Sequence, residues 1–429
     1  MARIIIRNFL EIKSGEIEFA PFTILIGPQA SGKSITAKLL YFFETVKNEF
    51  WQPVRYDMTM HNFRVHVRSR FDSLFPKYSR RNQSCKIEYV DGDFSMTIDY
   101  STKNVFNIHS ETQKEHRKRK KSFINSIEKM RNEDGSIDVT RAIHAFSINK
   151  NAGDSDEYKE YIGNKFMNIF VGGSRVEDVL IGERPLYVPA TRSLLSILEK
   201  NVFSIFNMIK TDVVLSEFGK EYDSIKYAYS ILKKSKKNEI VSAMKMAKVI
   251  LKGEFDKDSD DEYIKKDGQR VELFNTSSGQ QCVTPLLLAI LKPLIDEGIF
   301  PPSYFIEEPE AHLFPVSQYE VVKLISYIRN AKSSHSKYFI TTHSPYVVSS
   351  VNNLIEAGRA NLSSDGVDGY FKSIAINSKD VGAYTITDGV ISSIIDSETG
   401  LIDADAIDSA SEVISSDFDY FMEKSNASI

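Results

Sequence analysis

The chain has 429 residues, of which 42% are hydrophobic and 26% charged, with a formal net charge of −4. That is the balance of a globular protein with one large domain carrying insertions, or with two domains. It excludes a chain that grips nucleic acid with its whole surface, leaving only a local patch for that purpose. Two cysteines, Cys85 and Cys282, are too few for a disulfide framework or a zinc cluster and fit a reducing compartment.

No apolar run approaches membrane-spanning length, and Met1-Ala2-Arg3 leads straight into a strand pattern. Neither a signal peptide nor a membrane partner is therefore expected, and the expected location is the cytoplasm. Arg3–Arg7 and Glu16–Phe19 read as two strands joined by a turn at Ser14-Gly15, and Phe22–Ile26 is a third, wholly apolar strand. It runs into Gly27-Pro28-Gln29-Ala30-Ser31-Gly32-Lys33-Ser34, a complete G-x-x-x-x-G-K-S loop, after which Ile35–Thr45 has the apolar face of a helix. Strand, glycine loop and helix in that order build an anion site, because loop and helix N–H groups converge on a triphosphate. Lys33 then reaches the β- and γ-phosphates and the Ser34 hydroxyl can ligate Mg²⁺, so ATP with Mg²⁺ is the expected cofactor pair.

Residues from about 51 to 180 change character. Cys85–Val90 and Phe94–Tyr100 form a hairpin pattern around Asp91-Gly92-Asp93, and a basic run at 114–121 leads into a helical stretch at Ser122–Arg131. Leu186-Tyr187-Val188-Pro189 resumes the apolar strand character and is followed by Ala190-Thr191-Arg192, where Arg192 could meet nucleotide, a partner, a helix end or an acid. Residues 193–252 read as mostly helical, Phe255–Glu262 as an acidic surface loop, and 283–296 as an apolar helix broken near its start by Pro285 and again by Pro293. Tyr304–Glu307 and Tyr338–Thr341 alternate with helices in the rhythm of a parallel sheet, and the stretch from 388 on is acidic.

Three further segments carry chemistry. Tyr304-Phe305-Ile306-Glu307-Glu308-Pro309-Glu310-Ala311-His312-Leu313 ends an apolar strand in two carboxylates. Glu307 can hold Mg²⁺ through its water shell, and Glu308 can orient or deprotonate an attacking water. Tyr338-Phe339-Ile340-Thr341-Thr342-His343-Ser344-Pro345 presents His343 at the carboxyl end of a strand, where parallel sheets gather ligand groups. Asn275-Thr276-Ser277-Ser278-Gly279-Gln280-Gln281 places small hydroxyls and a glycine before an apolar helix, a second candidate anion nest.

The ordered set of phosphate loop, S-S-G-Q-Q, E-E-P-E-A-H-L and T-T-H-S-P resembles the ATP-binding-cassette branch of P-loop ATPases. Within it the chain resembles the soluble ATPases of the SMC, RecF and overcoming-lysogenization-defect group, which includes ATPase subunits of phage-defence systems such as Septu and PARIS. Ile6-Arg7-Asn8-Phe9 resembles their first strand, and Val188-Pro189-Ala190-Thr191-Arg192 a strand that follows their insertion. The resemblance implies an α/β cassette fold, a mixed sheet with flanking helices. The head would be made of 1–50 and 180–385, with a β-hairpin and basic helical insertion at 51–179 and an acidic tail region at 386–429.

It also implies ATP sandwiched between two copies. Gly27, Pro28, Gln29, Ala30, Ser31, Gly32, Lys33 and Ser34 of one would face Ser277, Gly279 and Gln280 of the other, with Glu307 as magnesium-side acid, Glu308 as catalytic glutamate and His343 as switch histidine. The sequence departs from that pattern in three respects. Glu307 stands where aspartate is usual, Ser278 replaces the first signature glycine, and the glutamine that usually ends the strand after the first helix has no obvious counterpart. The expected role is a cytosolic ATPase whose pairing controls a separate effector such as a nuclease or toxin in phage defence. About 80 residues follow Thr342-His343, too few for an ordinary nuclease domain. Asp388, Asp396, Glu398, Asp403 and Asp405 read as a solvated acidic surface. The alternative is a repair or chromosome-maintenance ATPase that clamps DNA through the basic segment.

Overall fold

A computed structural model describes residues 2–51, 59–76, 84–128, 184–198, 212–258, 261–294, 302–331, 336–360, 366–403 and 416. In chain order the first strands are β1 (Ala2–Phe9), β2 (Ile12–Phe19), β3 (Phe22–Ile26), β4 (Lys86–Asp91), β5 (Phe94–Asp99), β6 (Phe106–Ile108) and β7 (Leu186–Val188). After them come β8 (Glu254–Asp258), β9 (Asp261–Lys266) and β10 (Gln269–Glu272), then β11 (Ser303–Glu307), β12 (Lys337–Thr342), β13 (Val381–Thr387) and β14 (Val390–Ser393). Eleven of these form one mixed sheet in the order β6-β5-β4-β1-β2-β14-β13-β3-β12-β11-β7, while β8, β9 and β10 make a small antiparallel sheet of their own. The fold is α/β, a mixed sheet with flanking helices.

The two halves of the sheet follow different rules. From β6 to β2 every neighbour is antiparallel, whereas β13, β3, β12, β11 and β7 pair in parallel. Strands of the parallel half are covered on both faces, which is why β3 and β11 are unbroken buried runs. Alternate residues still part company. Ile24, Ile306 and Ile340 enter a core shared with helices Val213–Leu232, Ser278–Leu291 and Pro345–Arg359. Leu25, Phe305 and Phe339 enter a second core built on helix Lys33–Trp51. That two-sided cover places the ends of β3, β11 and β12 side by side at one rim of the sheet.

Several expectations need correction. Ser14-Gly15 lies inside β2 rather than in a turn, because its glycine serves a close approach: a Cβ there would lie 2.6 Å from Cβ of Ile391 in β14. The described residues of the acidic segment, 255–258 and 261–262, are strand, with β8 and β9 pairing from Glu254–Lys265 to Asp258–Asp261. Pro285 lies inside helix Ser278–Leu291 and does not break it. Its missing N–H frees the carbonyl of Gln281, which accepts from Ser196 Oγ at 2.8 Å. The boundary expected at 386 falls within β13, and β14 follows it into the middle of the sheet. The two are joined by Asp388-Gly389, both at positive φ (50° and 80°), a two-residue hairpin turn. In 51–179 the hairpin β4–β5 and the short β6 extend the main sheet from β1, and helices Met60–Leu74 and Ser110–Glu128 are the other elements among the described residues. The basic segment 114–121 falls within one helix, Ser110–Glu128; residues 129–183 lie outside the described residues.

Candidate active site

β3 delivers the loop 27–34, and the first helix begins at Lys33, so its leading N–H groups have no carbonyl four residues back within the helix. Two backbone features shape the loop: Ala30 and Gly32 stand at positive φ (59° and 106°). Gly27 packs against β13, where a Cβ would lie 2.9 Å from the carbonyl oxygen of Ile386. Pro28, Gln29, Ala30 and Ser34 are exposed, while Ser31 Oγ is buried without a hydrogen-bond partner. Lys33 is only 5% exposed. Its Nζ donates to the carbonyls of Gly27 (2.8 Å) and Pro28 (2.6 Å) and lies 3.3 Å from Nδ1 of His343. Burial holds its ammonium down, to about 8, although Glu308, Glu310 and Glu307 pull the other way.

The histidine links that lysine to the acids of β11. With Nδ1 accepting from Lys33, Nε2 carries the proton, and it lies 3.2 Å from Oε1 of Glu308. Glu308 stands at φ 43°, in the left-handed region, held by its N–H to the Thr341 carbonyl at 2.9 Å. Glu310 braces the neighbouring strand: its Oε1 accepts from Thr342 Oγ1 (2.8 Å) and from the His343 N–H (2.7 Å), while its Oε2 is buried with no partner. Glu307 points toward the sheet edge instead. It accepts from the Tyr187 hydroxyl at 2.7 Å and from the Ala190 N–H at 3.0 Å, and burial together with the charge of Glu307 pushes the Tyr187 phenol up.

Ser277, Gly279 and Gln280 are placed apart from this cluster. Ser277 caps helix Ser278–Leu291, accepting from the Gln280 N–H at 3.3 Å and donating to Gln280 Oε1 at 3.2 Å, a serine-to-glutamine capping arrangement. Gln280 Nε2 reaches the Leu251 carbonyl at 3.1 Å. Gly279 permits a close approach, since a Cβ there would meet the His312 carbonyl at 3.0 Å. Among the described residues none of the three hydrogen-bonds to the loop 27–34. The chain thus brings Lys33, His343 and Glu308 together and leaves Ser277 exposed at a helix start.

Residues 187–348 match the family model of the AAA ATPase domain. The match supports, at the level of that family, an ATP-hydrolysing P-loop enzyme. It takes in β7, 275–281, β11 and β12, and the sheet sets β12 directly beside the strand that delivers the loop. No curated protein matches the chain. Among solved structures it is similar to the SMC head domain from Thermotoga maritima, at 13% identity over 91% of this chain and 97% of that one, with a TM-score of 0.36. It is also similar to the Smc head domain with an extended coiled coil bound to the C-terminal domain of ScpA from Pyrococcus furiosus (13% identity, 92% and 96% covered, TM-score 0.38). A third is the Smc head bound to the C-winged helix domain of ScpA (12%, 92% and 98%, TM-score 0.39).

The residues fit a polyphosphate anion. The buried Lys33 ammonium has two carbonyls and an imidazole within hydrogen-bond distance, and the loop holds an orphaned hydroxyl at Ser31. On the side expected to hold a divalent cation, Ser34 is exposed at the start of the first helix, while both oxygens of Glu307 accept hydrogen bonds, from the Tyr187 hydroxyl and the Ala190 N–H. Among the described residues no group of three or more His, Cys, Asp or Glu could hold a metal by itself. Tyr187 and the Ala190 N–H join this cluster with no motif to mark them. Glu310 was in plain view within the acidic motif, but its bond to the His343 N–H joins positions 33 apart in the chain.

Proposed function

We propose that the protein hydrolyses Mg-ATP and that two copies, face to face, complete each other's active site. The observation that supports this most directly is the convergence of Lys33, His343 and Glu308 at the rim where β3, β12 and β11 end. In this reading the loop from Gly27 to Ser34 wraps the phosphates, and Lys33 exchanges its two carbonyl contacts for phosphoryl oxygens. Ser34 and Glu307 hold the cation, which when bound offsets charge developing on the phosphoryl oxygens. Glu308 accepts the proton of the attacking water, and the His343 Nε2–H steadies its carboxylate. Ser277, Gly279 and Gln280, exposed or half-exposed at a helix start, serve the γ-phosphate held by the other copy.

The ATP cycle then controls a separate effector, such as a nuclease or toxin in phage defence. Support for that step is the wording of E-E-P-E-A-H-L and T-T-H-S-P. Direct clamping of DNA is the weaker reading, because two cations of the basic helix are engaged locally. Lys114 and Lys118 pair with Glu111 (2.9 Å) and Glu115 (3.9 Å), each three residues earlier.

Complementation tests the pairing. Lys33→Ala and Ser277→Arg should each lose turnover alone, and mixing them should restore part of it, since a mixed pair has one intact site. A mixture as inactive as its components, together with turnover per molecule independent of protein concentration, would refute the proposal.

A further inference from the structure

Arg192 is the largest fully buried side chain among the described residues, 0% exposed, and all four of its hydrogen bonds go to backbone carbonyls. Nη1 donates to Pro189 (3.1 Å) and Glu307 (2.7 Å), Nη2 to Glu308 (2.8 Å), and Nε to Cys282 (3.1 Å). A guanidinium taken out of water is tolerated only when its donors are largely met, and here the end of β7, the end of β11 and helix Ser278–Leu291 together take four hydrogen bonds from it. The acceptors are not arbitrary. The Glu308 carbonyl belongs to the residue held at φ 43°, and it also accepts from the Ala311 N–H at 3.0 Å. Cys282 lies in the helix that Ser277 caps, next to the Gln281 carbonyl that Pro285 leaves to Ser196.

We propose that Arg192 is a positioning residue: it fixes the peptide that carries Glu308 and ties it to the helix that presents Ser277. One planar fork thereby couples the site a copy uses to the surface it offers its partner. This rests on the ATPase reading above. Lysine cannot substitute, because a single ammonium on a flexible stem does not span four acceptors in a fork.

The test compares Arg192→Lys and Arg192→Gln with wild type for melting temperature, ATP affinity, kcat, KM and nucleotide-driven pairing. ATP affinity should stay within about twofold while kcat falls about tenfold for Arg192→Lys and about a hundredfold for Arg192→Gln, since misplacing a reacting group by about 1 Å has that scale of cost. Pairing in ATP should weaken in the same order. Folded variants with wild-type kcat and pairing would overturn the proposal. So would failure of both variants to fold, which would make Arg192 a structural strut. Lys33→Ala and Glu308→Gln run beside them: if those keep wild-type turnover the ATPase reading itself fails, and if only the Arg192 variants do, this inference alone fails.

Discussion

Two lysines on one helix, Lys33 buried and Lys47 half-buried, mark opposite ends of the parallel strands, and they are satisfied very differently. At the amino end of β11, Glu44 accepts from Lys47 (2.9 and 3.0 Å), from Ser303 Oγ (3.0 Å) and from the Tyr89 hydroxyl, and Lys47 also reaches Asp91 at 2.7 Å. Burial alone would lower the Lys47 ammonium, but Glu44 and Asp91 outweigh it and push it up. At the carboxyl end Lys33 is pushed down to about 8, and Ser31 Oγ in the same loop is buried without a hydrogen-bond partner. The first cluster is a finished structural network. The second leaves its lysine poorly compensated for burial, and that is the contrast between the two.

Exchanging the roles of the two clusters by mutation gives the largest effects. Lys33→Ala should lower ATP turnover about 10³-fold or more, because phosphoryl transfer depends on charge placed at the transferred group. Its melting temperature should not fall, since the lost side chain was an ill-compensated buried charge. Glu44→Ala should do the reverse. Removing one partner of a buried ion pair costs about 3–5 kcal/mol, so calorimetry should show a large loss of stability while turnover per folded molecule stays near wild type. A Glu44→Ala protein that is stable but inactive would erase the distinction.

The pH dependence sharpens it further. Lys33 titrates near 8 in the folded chain against an ordinary 10.5, so its folded value is the lower one. Between those values the unfolded chain binds the extra proton, and stability rises with pH across that window relative to Lys33→Met. ATP affinity should move the opposite way. Above about pH 8 binding must first restore the proton on Lys33, so affinity should fall by at most about tenfold per unit of pH. Titration calorimetry in buffers of different ionisation enthalpy would report the proton uptake. Affinity flat from pH 7 to 10 would mean that Lys33 stays charged and that the burial argument is wrong.

The same contrast explains what could be read from the sequence. β3, β11 and β12 were legible because strands covered on both faces are mostly apolar, and the loop 27–34 because its glycines, lysine and serine stand at the fixed spacing of a phosphate-binding motif. β13 and β14 were not. Their place is fixed by contacts such as Gly389, whose carbonyl accepts from the Lys13 N–H at 2.7 Å and where a Cβ would meet the Glu11 carbonyl at 2.4 Å. Asp388-Gly389 carried a readable hairpin signal, masked by the acidic residues around it. Arg192 had no local signal at all: of its acceptors only Pro189 is close in sequence, and the others lie 90 to 116 residues away.

The smallest expected effect concerns Gly279, where two contributions oppose each other. In a helix Gly→Ala gains up to about 1 kcal/mol of backbone entropy and propensity. Here the added Cβ would lie 3.0 Å from the carbonyl oxygen of His312, so either the helix start or the turn after β11 must shift. His312 is itself at φ 61°, and the turn is bound by the Leu313 N–H to the Glu310 carbonyl at 2.9 Å, so the turn resists and the crowding should cancel the gain or exceed it by about 1 kcal/mol. Gly279→Ala should therefore melt at or slightly below the wild-type temperature. Its ATP-driven pairing should weaken by more than that change explains, because the displaced element is the one presenting Ser277. Were Gly279→Ala to gain the full helix-propensity increment and pair normally, the turn after β11 would not be pressed against the helix start, and the two would move independently.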